Sequence, residues 1–313
     1  MSPVWVALLG AAAAFAQTAL SGADKGVETR TITVDGRERT YHLYRPAGKP
    51  QGPYPVVLAL HGGGGQGLGM RRVGFEPVAD RHGFALVYPD GHNRGWNDGR
   101  LGSRIVQRGE GVDDVAFFRV LIDRLVAERF ADPARVYSTG PSNGGIMTFR
   151  LACDLADRIA AAAPVIANMA QDRMELCKPA RPVPMLIING TKDPLVPWEG
   201  GPIAGNPTGG IVVSVDRTIE LWKRLSGCSG KPPRERPLPD KDPNDGTRTT
   251  ELVWQGCRAE LRLYRVEEGG HHWHGAAAPV SDERIKRSGK VSMDFSGAEV
   301  VWDFFSRHRL AKK

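Results

Sequence analysis

Tyr137-Ser-Thr-Gly-Pro-Ser-Asn-Gly-Gly-Ile146 is the stretch from which this 313-residue chain is best understood. Just before its glycines, Arg135-Val-Tyr-Ser-Thr139 is β-branched and aromatic and predicts a strand. After them, Ile146 to Leu155 carries the apolar spacing of an amphipathic helix. Gly140-Pro-Ser-Asn-Gly144 therefore has the G-x-S-x-G spacing in the strand-turn-helix setting that gives it meaning. A turn of this kind holds a serine hydroxyl clear of the backbone, and its glycines let strand and helix approach closely. The first N–H groups of the helix then lie beside any negative charge that develops there. Ser142 is the candidate nucleophile.

A serine nucleophile needs a base, and the base needs a carboxylate to orient it. Downstream, the apolar strand Val183 to Ile188 runs into Asn189-Gly-Thr-Lys-Asp193, which places Asp193 in a loop at a strand's carboxyl end. Asp154, Asp157, Asp172 and Asp216 compete, but they fall in helical or loop segments without that position. A late strand, Glu260 to Val266, leads into Glu267-Glu-Gly-Gly-His-His-Trp-His-Gly275. His271, nearest the strand end, is the expected base, with His272 and His274 placed to line the mouth. The order Ser, Asp, His is the one followed where such a turn stands in an open α/β sheet.

Upstream, Pro55 to Leu60 is a buried-strand run ending in His61-Gly-Gly-Gly-Gly65. Two convergent N–H donors are needed for an oxyanion. The expected pair is Asn143, after the nucleophile, and Gly63 of the glycine loop, with His61 shaping that loop. Trp96, Trp198 and Trp273 are candidate walls for an acyl or aryl group, against the competing reading that large rings pack the core. No H-E-x-x-H or C-x-x-C spacing occurs, so neither a metal nor a cofactor is expected.

The remaining segments predict an α/β architecture. Thr31 to Val34 and Thr40 to Tyr44 flank Asp35-Gly36 as a hairpin. Helices are expected over Val73 to His82, Val115 to Phe130, Val215 to Leu225 and Ala298 to His308. Strands are expected over Phe84 to Tyr88, Ala160 to Ile166 and Arg248 to Trp254. Asp113 and Asp114 read as capping residues for the helix that follows them. Gly230 to Thr247, rich in Pro and charge, reads as an exposed loop. Alternating buried strands and amphipathic helices imply a mostly parallel central sheet covered on both faces, in a single domain.

The formal net charge of +7 comes from Lys and Arg scattered along the chain, without an aromatic-interleaved basic stripe. That pattern argues against nucleic acid as a partner. Val4 to Ala16 is an apolar run too short to span a bilayer, ending in Ala14-Phe-Ala16, which suits signal cleavage. Its n-region carries no Lys or Arg. Residues 1–16 are expected to be a signal peptide and 17–313 the catalytic domain, exported to an extracellular or periplasmic space and free of membrane once the signal is removed. In such an oxidising compartment four cysteines allow three pairings. Sequence order favours Cys153 with Cys177 and Cys228 with Cys257.

Leu60-His-Gly-Gly, Gly111-Val-Asp-Asp-Val-Ala-Phe117, Gly140-Pro-Ser-Asn-Gly-Gly145, Gly190-Thr-Lys-Asp-Pro-Leu-Val-Pro197 and Gly269-Gly-His-His-Trp-His-Gly275 together resemble a known family. It is the secreted α/β-hydrolase esterases of the polyhydroxybutyrate depolymerase family, similar also to feruloyl and acetyl xylan esterases. The resemblance spans about Thr31 to Leu310 and implies Ser142, Asp193 and His271 as the triad. It supports the two sequential disulfides. It also implies small or oligomeric ester substrates, polymer-attached ones included. Two departures flank the expected pocket: Gly63 stands where the family often has Cys, and His274 where it often has Pro. The rival readings are a non-catalytic carbohydrate- or surface-binding protein on this scaffold, and a peptidase or thioesterase of the same fold.

Overall fold

Apolar runs of strand length, bounded by turn residues, become the middle of one sheet. A computed structural model describes residues 26–48, 51–108 and 111–311, so the expected signal segment lies outside the described residues. The hairpin pairs β1 (Val27–Val34) with β2 (Arg37–Tyr44), and both turn residues, Asp35 and Gly36, take positive φ. That is the twist two-residue hairpins require. Then come β3 (Tyr54–Ala59), β4 (Ala85–Pro89), β5 (Ala131–Pro141), β6 (Ala161–Val165) and β7 (Met185–Gly190). A small pair, β8 (Gly201–Pro202) and β9 (Ile211–Val212), precedes β10 (Arg234–Pro237), β11 (Arg248–Val253) and β12 (Leu261–Glu267).

Ten of these strands form a sheet in the order β1-β2-β4-β3-β5-β6-β7-β12-β11-β10. The six from β4 to β12 in that order run parallel, and the antiparallel pairs are confined to the two margins. Strands β3, β4, β6 and β7 are buried at every residue, so apart from Asn189 in β7 their sequences are apolar throughout rather than alternating.

Helices cover both faces. On one lie α1 (Phe75–His82) and α7 (Gly297–Ser306); on the other lie α3 (Asp114–Ala127), α4 (Asn143–Asp154) and α5 (Val215–Ser226). Alternate residues of β3 divide between them: Val57 and Ala59 pack with α1 and α7, and Val56 and Leu58 pack with α3. Phe84 stacks on Trp302 at 3.9 Å and Tyr137 on Phe305 at 4.8 Å. Two short helices, α2 (Arg104–Arg108) and α6 (Asp282–Ser288), lie in the connections around the site. The α/β-hydrolase architecture expected from the sequence is the one observed.

Three details differ from expectation. Arg234–Pro237, inside the predicted loop, pairs with β11 as the edge strand; its four residues are all exposed, so no apolar alternation marks it. The charged segment forming α6 is likewise exposed over most of its length and carried no helical signal. Asp113 does cap α3, accepting from Val115 and Ala116 N–H, but Asp114 points inward instead. Buried Asp114 pairs with Arg39 at 2.7 Å and accepts Asn97 N–H at 2.6 Å, tying the loop before α3 to β2. The disulfides are Cys153–Cys177 and Cys228–Cys257, the sequential pairs.

Candidate active site

The turn at Ser142 is forced by steric crowding. Ser142 has φ 56 and ψ −125, a conformation that costs a non-glycine residue roughly 1–3 kcal/mol. A Cβ at Gly140 would come 2.5 Å from Leu60 O, and one at Gly144 would come 2.6 Å from both Leu60 O and His61 O. Only glycine fits there. Ser142 O accepts Ile146 N–H to start α4, and Ser142 N–H reaches Val165 O on β6 at 3.0 Å. The residue just after β6, Ile166, is itself at φ 45 although β-branched, held by Ile166 N–H to Ile188 O at 2.7 Å.

The glycine loop lies against the turn. Asn143 Cβ is 3.6 Å from where a Gly63 Cβ would stand, and Ser142 Cβ is 3.6 Å from the corresponding position at Gly62. His61 braces the loop as expected. Its Nδ1 donates to Gly62 O at 2.8 Å and its Nε2 accepts Gly91 N–H at 2.9 Å, while burial depresses its pKa and keeps the ring neutral. The Asn143 side chain is fully engaged. Its Oδ1 accepts Trp96 N–H at 2.9 Å, and its Nδ2 donates to Trp96 O and to Asp98 Oδ2. Asp98 in turn makes a buried ion pair with Arg100 at 2.7 Å, and Arg100 Nη1 reaches Gly209 O in the loop between β8 and β9.

Asp193 and His271 meet: His271 Nδ1 lies 2.7 Å from Asp193 Oδ2. The carboxylate's other oxygen accepts Leu195 and Val196 N–H at 2.8 Å each, so Asp193 cannot swing away. Fixing Nδ1 in this way leaves Nε2 as the nitrogen able to take a proton. Long-range contacts hold the His271 loop. His271 N–H donates to Ser288 O at the end of α6 at 2.6 Å, Gly270 N–H to Lys290 O, and Lys192 N–H to Gly269 O. Since β5, β7 and β12 run parallel, Ser142, Asp193 and His271 all follow strand ends at one edge of the sheet.

Several expected pocket residues lie elsewhere. Trp96 is fully buried, with its indole N–H donating to His61 O at 2.8 Å; it supports the glycine loop from behind. Trp273 is buried against Phe75. Only Trp198 keeps part of its surface open, at the end of the Asp193 loop. His272 and His274 do not line the mouth. Burial lowers their pKa to about 4 and about 3, and His274 Nδ1 accepts Ser292 N–H at 3.1 Å. Among the described residues no group of three or more His, Cys, Asp or Glu is placed to hold a metal ion.

Two supporting groups escaped the sequence reading. One is the Asp98–Arg100 pair beside Asn143. The other is an amide chain across the Asp193 loop: Asn189 Nδ2 donates to Asn168 Oδ1 at 2.8 Å, and Asn168 Nδ2 donates to Pro197 O at 2.9 Å. Residue identity alone offered no signal for either, since the bonds from Asp98 to Asn143 and from Asn168 to Asn189 and Pro197 join positions brought together by the fold.

No family model matches the chain. It is 32% identical over 294 residues to NocK of Nocardia uniformis subsp. tsuyamanensis, designated an esterase, covering 90% of this chain and 83% of that protein. It is 27% identical to feruloyl esterase D of Neurospora crassa, covering 96% and 94% of the two chains. Among solved structures, acetyl xylan esterase from Aspergillus awamori matches with a TM-score of 0.55 at 14% identity, covering 83% of this chain and 98% of that one, a likeness of fold.

Proposed function

The chain belongs to the α/β-hydrolase esterase family, and as a carboxylic ester hydrolase it needs an activated nucleophile, which we propose is Ser142. His271 takes the hydroxyl proton as Ser142 attacks the ester carbonyl, and then returns it to the departing alcohol. Asp193 holds the imidazole in the right tautomer and stabilises it when charged. The N–H groups of Gly63 and Asn143 receive the oxyanion, and water releases the acyl-enzyme. The observation that carries this reading is the 2.7 Å Asp193–His271 pair at the same sheet edge as the strained serine turn.

The substrates we assign are esters of aryl or acetyl groups on polysaccharides, or hydroxyalkanoate esters, polymer-attached forms included. The feruloyl and acetyl xylan designations of the similar proteins support the first class, and the motif resemblance supports the second. Trp198, which alone of the three tryptophans keeps open surface, serves as an apolar wall. Export to an oxidising space follows from the two disulfides and the apolar run ending at Ala16.

A fluorophosphonate should label Ser142, located by peptide mass spectrometry. Ser142→Ala should lose the label and should lower hydrolysis of p-nitrophenyl acetate roughly 10⁴–10⁶-fold. A label on another serine, or turnover retained in Ser142→Ala, would overturn the assignment.

A further inference from the structure

We propose that Ile105, on the short helix α2, limits the size of acyl group the enzyme accepts and favours short ones. The proposal rests on Gly63 and Asn143 as the oxyanion donors. A Cβ at Gly63 would come 2.5 Å from Ile105 Cδ1, and one at Gly95 would come 2.4 Å from Ile105 Cγ2. The Ile105 side chain therefore lies directly on both glycines and occupies the space that side chains there would fill. It is half-buried, so one surface still faces out beside the oxyanion loop.

Its position is not that of a loose surface residue. The segment leading to it is clamped at Trp96 by two bonds with the Asn143 side chain, and at Asp98 and Arg100 by the buried ion pair. Arg100 and buried Ser103 both pack on Gly210, whose Cβ position is 2.9 Å from Arg100 Cβ and 3.2 Å from Ser103 Cβ. Charges are buried at this cost only where they are paired and hydrogen-bonded, and here the pair fixes the approach to α2.

Strand order says which half of the ester meets Ile105. Asp193 and His271 follow β7 and β12 on one side of β5, whereas Gly63 and the segment entering α2 follow β3 and β4 on the other. A leaving alcohol must face the imidazole that protonates it. The other two substituents of the attacked carbon then face the β3–β4 side, the oxyanion at the Gly63 and Asn143 N–H groups and the acyl substituent beside it, against Ile105. A branched side chain at this point leaves room for a short acyl group and crowds a long one, so among the substrates assigned above acetyl and short hydroxyacyl esters are favoured over the aryl-acyl ones.

The test compares kcat/KM for p-nitrophenyl acetate, butyrate and octanoate, which share one leaving group, in the wild type, Ile105→Ala, Ile105→Val and Ile105→Phe. The octanoate-to-acetate ratio should rise about tenfold or more in Ile105→Ala, rise less in Ile105→Val, and the butyrate-to-acetate ratio should fall in Ile105→Phe. Fluorophosphonate labelling counts intact sites in each variant, so a misfolded variant is recognised and the others still decide. Unchanged ratios, equal losses at every acyl length, or a shift seen only across methyl, butyl and octyl acetates would overturn the proposal. Failure to label Ser142 in the wild type would instead overturn the catalytic reading on which it rests.

Discussion

On the β3–β5 flank of the site, Ser142 and the glycine loop are held by backbone crowded around Gly140 and Gly144, a strained turn and a helix start, with the His61 and Asn143 side chains bonded behind them. On the β7–β12 flank, Asp193 and His271 ride on loops pinned by residues distant in sequence, from Asn168 to Ser288 and Lys290. The first flank resists change because no other backbone fits. The second depends on many separate contacts, several of them polar, and one of its buried groups, His274, can gain charge. The serine turn is therefore rigid, while the Asp193–His271 pair is an assembly whose geometry belongs to the whole fold.

The largest effect should come from cutting the second flank at its centre. Asp193→Asn should lower kcat about 10⁴-fold with little change in KM, because the amide stabilises the wrong imidazole tautomer. Stopped-flow or steady-state kinetics on p-nitrophenyl acetate check this, and a loss below tenfold would break the assigned role of the pair.

The first flank is probed through Cys153–Cys177, which ties the end of α4 to the chain beyond β6 across a separation of 24 residues. Cys153→Ala with Cys177→Ala should cost about 3 kcal/mol of stability. Denaturant melts should show this loss with an unchanged kcat pH profile, since no titrating group is touched.

Acid should act on the second flank. The folded-state pKa of His274 is about 3, below the value of about 6.5 expected when unfolded, so the unfolded chain binds the proton more readily. Stability is complete above about pH 6.5 and falls as pH drops toward 3, with about 2 kcal/mol lost by pH 5 from this residue alone. Calorimetry across pH 7 to 5 should show the decline in the wild type and a flatter curve in His274→Gln. Equal curves would contradict the buried, neutral ring.

The smallest effect sharpens the contrast further. Asn168→Ala removes the link to Pro197 O and loosens the Asp193 loop, and should lower kcat about tenfold with little change in KM. A rise in KM alone would assign Asn168 to substrate binding instead.

Much of the first flank was legible beforehand. Gly140, Ser142 and Gly144 announce their turn because the motif is contiguous, although the clash that each glycine answers is with Leu60 and His61 of the chain leaving β3. Asp193 and His271 were also legible, since each follows an apolar run that could only be a buried strand. Trp96 and Trp273 were misplaced as pocket walls, because a large ring reads the same whether it faces substrate or core. Asp114 looked like its neighbour Asp113 until Arg39, 75 positions away, turned it inward.

Composition and periodicity were enough to establish the layered α/β architecture and the serine turn, and to place Asp193 and His271 after strand ends, because strand and turn signals lie within a few residues of one another. Tertiary structure alone decided that His271 meets Asp193, that His272 and His274 are buried and neutral, and that Ile105 lies on Gly63. Those outcomes depend on the separation and burial of groups far apart in the chain, and a linear pattern carries no record of either.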